Sequence, residues 1–222
     1  MRSHQRIRSV LTTQILSVAA GALLIGASLP TVSARAAENR KSASANPNII
    51  FILADDQGFG DVSALNPKSR IPTPNIDRIA NEGMIFSDGH SSSSVCTPTR
   101  YSVLTGRYHW RTHLQKGVLG GFSKPLISQG RLTVASLLKQ HGYSTACIGK
   151  WHLGWDWPLK DGGTADDKGN FSGGFKGGWD VDYTGRIKNG PCDLGFDTFF
   201  GISASLDMPP YVYVRDRTPT EP

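Results

Sequence analysis

Apolar residues along the chain gather in short blocks, and the spacing inside each block sets the element it favours. Residues 48–54, Asn-Ile-Ile-Phe-Ile-Leu-Ala, form a continuous apolar run closed by two acids and a Gly-x-Gly. Such a run predicts a central strand buried on both faces. Residues 74–83 place Thr73 at the cap, a proline in the first turn and a terminal glycine, which predicts a helix. Met84–Ser87 reads as a short strand, 91–94 as a loop, and a second helix starts at Cys96. Leu132–His141, with Thr133 near its start and Gly142 at its end, predicts a third helix, followed by a strand over Tyr143–Gly149. The order strand, helix, strand, helix, helix, strand predicts an α/β domain whose mostly parallel sheet is sandwiched by helices.

The first block is of another kind. Arg2, Arg6 and Arg8 precede an apolar stretch from Val10 to Leu29, and Ala34-Arg35-Ala36 follows. This pattern predicts an export signal over residues 1–36, cleaved after Ala36, and a periplasmic or secreted product. Thr12, Thr13, Gln14 and Pro30 interrupt the stretch, so no stable membrane anchor is expected. The absence of an adjacent arginine pair favours the general secretory route. Residues 37–47 are polar and aperiodic and read as a disordered leader. The remaining residues, 48–222, suffice for one α/β domain with its own core.

Charge changes once the signal is set apart. The formal charge of the whole chain is +6, but residues 1–36 hold four arginines and no acid, which leaves +2. With no basic stripe and no interleaved aromatics, a nucleic-acid partner is not expected. Residues 160–190 are rich in Gly, Asp and Lys with isolated aromatics at 171, 175, 179 and 183. They read as a mobile surface insertion or as a loop over an active site that stacks on a substrate ring.

Candidate chemistry concentrates around Cys96-Thr97-Pro98-Thr99-Arg100 and the Thr105-Gly106-Arg107 that ends the same segment. Pro98 suits a first helical turn, so free N–H groups and the positive helix end face Cys96, while Arg100, four residues on, shares that face. Asp55 and Asp56 close the first predicted strand, where α/β folds place ligands, and their hard oxygens suit Ca²⁺ or Mg²⁺. Lys150 and His152 follow the last predicted strand two residues apart, which puts them on one side if the backbone stays extended. His90, His109, His113 and His141 lack such a context and read as structural or surface residues. Cys147 and Cys192 remain as a potential disulfide in an oxidising compartment, although Cys147, within Ser144–Ile148, reads better as a small buried hydrophobe.

These motifs, with Asn48–Gly58, Gly149-Lys150-Trp151-His152-Leu153-Gly154 and Gly195-Phe196-Asp197 through Ser205 in the same order, resemble the type I sulfatases. These are the arylsulfatase branch of the alkaline-phosphatase-like superfamily. The resemblance spans residues 48 to about 216 and implies that fold. It implies that a formylglycine-generating enzyme oxidises Cys96 to formylglycine, and that Asp55, Asp56 and the modified Cys96 hold Ca²⁺, with Mg²⁺ as the alternative. Lys150 and Ser205 then contact the sulfate, Arg100 stabilises charge, and His152 positions or deprotonates the formylglycine hydrate. The implied reaction is sulfate ester hydrolysis through a covalent sulfo-enzyme. Phosphonate or phosphate ester hydrolysis and an inactive fragment are the alternatives. The family's second metal pair, second His and second Lys have no counterpart here, so the resemblance implies a truncated, N-terminal catalytic part with little turnover alone.

Overall fold

Three α-helices and four short strands carry the architecture: α1 (Pro74–Glu82), α2 (Cys96–Thr105), α3 (Val134–Gln140), β1 (Ala146–Lys150), β2 (Thr198–Ile202), β3 (Val214–Arg215) and β4 (Thr218–Pro219). The computed structural model of the chain describes residues 46–162 and 179–221. Contacts divide the chain into Met1–Phe51 and Ile52–Pro222, and every helix and strand named above lies in the second unit. The export signal, most of the leader and the aromatics Phe171 and Phe175 lie outside the described residues.

The sheet runs β1-β2-β3-β4. β1 and β2 are parallel, with Ala146 opposite Thr198 and Lys150 opposite Ile202, and the other two pairings are antiparallel. The described sheet is therefore mixed. Asp197 fixes the start of the parallel pair: its carboxylate accepts from the Thr145 amide at 2.8 Å and pairs with Lys139 of α3. The Lys139 ammonium, then the Thr145 donors, pull its carboxyl down to about 2. Beyond β1 the ladder continues for two residues, with Trp151 and His152 amides donating to Ile202 and Ser203 carbonyls.

Helices α1, α2 and α3 form where the sequence places them, because their stop and start signals are local. Thr133 caps α3 by accepting from the Ser136 amide at 3.0 Å, and Ser136 reciprocates at the Thr133 amide. Gly106 ends α2 at φ 66°, a left-handed value that glycine reaches without a Cβ penalty. Thr73 departs from the expected cap. Its hydroxyl donates to Asp77 inside a cluster with Ser63, which ties α1 to the preceding turn.

Two predicted strands are absent. Residues 48–54 and 84–87 pair with no described strand, and Ile50, Ile52 and Phe86 are largely exposed. An apolar run states what surroundings a strand prefers but supplies only half of each ladder hydrogen bond. Among the described residues strand β1 has one edge without a neighbour, and Ile148 on it is 81% exposed.

The core lies elsewhere, around Trp155, Trp157 and Phe199. Trp155 meets the other two rings edge-on at 5.2 and 5.9 Å. Val181 and Ile187 are buried in this core, and antiparallel bridges join Leu159 to Val181 and Asp156 to Lys188. Val181 and Ile187 of the 160–190 segment are thus core residues, while several of their described neighbours are exposed. Tyr183 is committed to Trp157, edge-on at 5.7 Å, and only Trp179 among the described aromatics of the segment stands exposed.

Candidate active site

The site is assembled from three places in the chain. Helix α2 begins at Cys96 itself, after an extended Val95, so Pro98 occupies the first turn as its geometry requires. Arg100, one turn on, is the hub. It donates through one guanidinium nitrogen to the Lys150 carbonyl at the end of β1 and through the other to Asp55 Oδ2 at 3.0 Å. Lys150 reaches the same Asp55 oxygen at 2.8 Å and the Ser205 hydroxyl at 3.2 Å. Asp55, Arg100, Lys150 and Ser205 therefore form one connected polar cluster. The Lys150 hydrogen bond above all, helped by Arg100 and opposed by partial burial, holds the Asp55 carboxyl below its ordinary range.

His152 leaves the extended backbone on which the sequence expectation rests. Its φ of 57° breaks the extended backbone, so the alternation that would set it beside Lys150 does not apply. The ring is fully buried, and Nε2 lies 2.6 Å from the Leu119 carbonyl. A carbonyl only accepts, so Nε2 carries the proton and Nδ1 bears a lone pair. Nδ1 is buried with no hydrogen-bond partner among the described residues. Burial, partly offset by the Leu119 bond and reinforced by the nearby Lys150 and Arg100 charges, lowers the imidazole pKa to about 4. The ring is neutral at pH 7.

The sharp exit from β1 depends on Gly154. At φ 71° its missing Cβ would fall 2.0 Å from the Lys124 carbonyl oxygen. Trp151 closes the same turn by donating to the Gly154 carbonyl at 2.9 Å.

Comparison with known proteins identifies the family. The family model described as Sulfatase matches residues 47–218. The chain belongs to the sulfatase family. It is 38% identical to an N-acetylgalactosamine-6-O-sulfatase of Bacteroides thetaiotaomicron, covering 78% of this chain and 30% of that protein. It is likewise 38% identical to mouse arylsulfatase G, over 76% of this chain and 26% of that one. A solved Bacteroides thetaiotaomicron structure, from work on the metabolism of multiple glycosaminoglycans, superposes with a TM-score of 0.64 at 36% identity, over 78% of this chain and 32% of its own. This sulfatase-family chain thus spans less than a third of the length of these relatives, and its fold is the α/β fold of the family.

The remaining site candidates are placed but not joined to the cluster. Asp56, at φ 61°, is exposed and has no hydrogen-bond partner among the described residues. Cys96 is a partly exposed free thiol. Asp55 and Asp56 have the donor chemistry of a hard cation, and Asp55 keeps Oδ1 open while Oδ2 serves both cations. No group of three or more His, Cys, Asp or Glu side chains among the described residues gathers to hold a metal, so the two carboxylates fit as part of a donor set. Cys147 and Cys192 are both free and partly buried against the core, and burial pushes the Cys147 thiol up to about 11. Two participants had no sequence signal. Leu119 acts through its backbone, and Thr97, fully buried beside Cys96, accepts the Leu119 amide at 3.2 Å.

Proposed function

We propose that this chain carries the nucleophile and the sulfate-gripping cations of a sulfate ester hydrolase. The convergence of Arg100 and Lys150, from separate elements, on one oxygen of Asp55 carries this reading. Two part-buried cations that grip one anionic oxygen are arranged to grip another, here an oxygen of a sulfate ester at the start of α2.

Formylglycine formed from Cys96 by a generating enzyme would supply, as its hydrate, one hydroxyl to attack sulfur as the alcohol departs and a second whose deprotonation expels sulfate and restores the aldehyde. Asp55 and Asp56 hold part of a Ca²⁺ or Mg²⁺ site, and a bound cation adds Lewis acidity. Arg100 and Lys150 hold the ester oxygens against the positive end of α2, and Ser205 orients the Lys150 ammonium. His152, neutral and fixed through Nε2, offers Nδ1 as a proton acceptor. Its chain neighbours Trp151 and Leu153 are buried with it, away from water. The chain acts as an exported protein, with residues 1–36 as the signal, 37–47 as a leader and 48–222 as the catalytic part.

Coexpression with a formylglycine-generating enzyme, followed by peptide mass analysis and assays on an aryl sulfate and a sulfated amino sugar, tests this. The 222 residues alone are expected to turn over slowly. Joining them to the C-terminal remainder of a relative is expected to give Cys96-dependent hydrolysis. Arg100→Ala or Lys150→Ala then lowers the rate by about 10²–10³-fold. An unmodified Cys96, an active Cys96→Ala chimera, or faster cleavage of an aryl phosphonate overturns the proposal.

A further inference from the structure

The residue after the nucleophile is tied to the buried histidine through one strip of backbone. Thr97 is fully buried, and its Oγ1 accepts the Leu119 amide at 3.2 Å. The Leu119 carbonyl in turn accepts Nε2–H of His152 at 2.6 Å. The peptide unit that presents this carbonyl is held from its other side, because the Gly120 amide donates to the buried Ser123 hydroxyl at 2.9 Å. Ser123 is itself fixed: its carbonyl accepts the Trp155 amide at 3.2 Å. Hydroxyl groups therefore clamp Leu119 on both flanks, and one clamp belongs to the segment that bears Cys96.

We propose that Thr97 is a positioning residue that anchors Leu119, so that its carbonyl holds His152 as the Nε2–H tautomer with the Nδ1 lone pair free for the reaction. The kinetic part of this proposal rests on the sulfate ester reading above, whereas the structural part does not. Three observations favour it over a packing role alone. Valine would fill the same volume as threonine, yet here the hydroxyl meets a buried amide that has no other partner among the described residues. The Leu119 carbonyl is a pure acceptor and so decides which imidazole nitrogen bears hydrogen. Nδ1 is left buried without a partner among the described residues, an arrangement that is costly unless something else approaches it.

The test is ¹⁵N NMR of the imidazole nitrogens in the full 222-residue chain, labelled at histidine, with the His152 signals assigned by their absence in His152→Gln. The wild-type chain and Thr97→Ser are expected to show one fixed Nε2–H tautomer at pH 7. Thr97→Val, and the smaller Thr97→Ala, are expected to move the two nitrogen shifts toward each other as tautomers mix. A wild-type ring protonated at Nδ1, or the wild-type pattern retained in both variants, overturns the proposal. Loss of the fold in both variants by circular dichroism also overturns it, since Thr97 would then be a packing residue. In the extended, formylglycine-bearing enzyme, corrected for Cys96 conversion by mass, Thr97→Val is expected to lower kcat about tenfold with KM unchanged, and Thr97→Ser to restore it. A rise in KM with kcat unchanged counts against it. Absence of turnover in that wild-type enzyme refutes the hydrolase reading and leaves the tautomer result standing.

Discussion

At the scale of single residues, His152 is where burial and chemistry are most tightly joined. Its pKa of about 4 lies below the ordinary 6.5, chiefly because burial disfavours the imidazolium. The unfolded chain therefore binds a proton between pH 6.5 and 4 that the folded chain does not, and folding stability falls as pH is lowered through that window. The effect is bounded at about 3 kcal/mol, since each pKa unit corresponds to about 1.4 kcal/mol. Urea unfolding of the chain and of His152→Gln at pH 7 and pH 4.5 checks this, the expected result being a smaller pH dependence in the variant. Equal dependence in both would place the acid sensitivity elsewhere. The motif residues Asp55, Arg100, Lys150 and Ser205 were readable because each is a charged or polar side chain in a compact local pattern. The left-handed φ of His152 was not, since nothing in the residue pattern marks it. Leu119 was invisible in principle, because its part is played by a carbonyl that every residue owns.

At the scale of elements, the three predicted helices form but only one of the three predicted strands does, for one physical reason. Capping, proline placement and glycine stops act within a few residues, whereas a strand needs a neighbour that may lie far away in sequence. Helix α3 shows the local case. The Thr133 hydroxyl both caps the helix and donates to the Leu194 carbonyl at 2.6 Å. Thr133→Ala is expected to cost about 2 kcal/mol, from a lost cap of about 1 and a buried carbonyl left unpaired at about 1. Urea denaturation with an unchanged slope and a lower midpoint reads this out. A midpoint within error of wild type would mean that solvent replaces both bonds. The strand at 146–150 was found because its apolar run coincided with real pairing, and its register was set by Asp197, which the motif Gly195-Phe196-Asp197 contains but does not explain.

For the molecule as a whole, large apolar side chains remain in contact with water: Ile52, Ile79, Met84, Phe86 and Ile148 are each more than 60% exposed. Ile148 lies on the edge of β1 that has no neighbour among the described residues, where unpaired backbone groups add to the attraction. The chain is therefore expected to bind the dye ANS and to self-associate as its concentration rises. Ile148→Lys is expected to reduce association, because charge on an edge strand opposes pairing. Light scattering after size exclusion checks both, and a strictly monomeric chain without dye binding would contradict them. The overall α/β class was legible from the motif resemblance, whereas two strands of the predicted element order are absent. The aromatic centre was not legible, since Trp155 and Trp157 sit beside a glycine-rich stretch that reads as loop, and its buried members Val181 and Ile187 lie within that stretch.

The bridge between Leu159 and Val181 has a consequence for how the protein can change. The two bridged residues lie side by side against the core, a fixed doorway from which a length of chain can be hung. Doubling such a length adds only about 0.6 kcal/mol to the entropy of closing it. The doorway is thus a natural grafting point, at which sequences of different length and composition can be exchanged while the tryptophan core beneath keeps its packing.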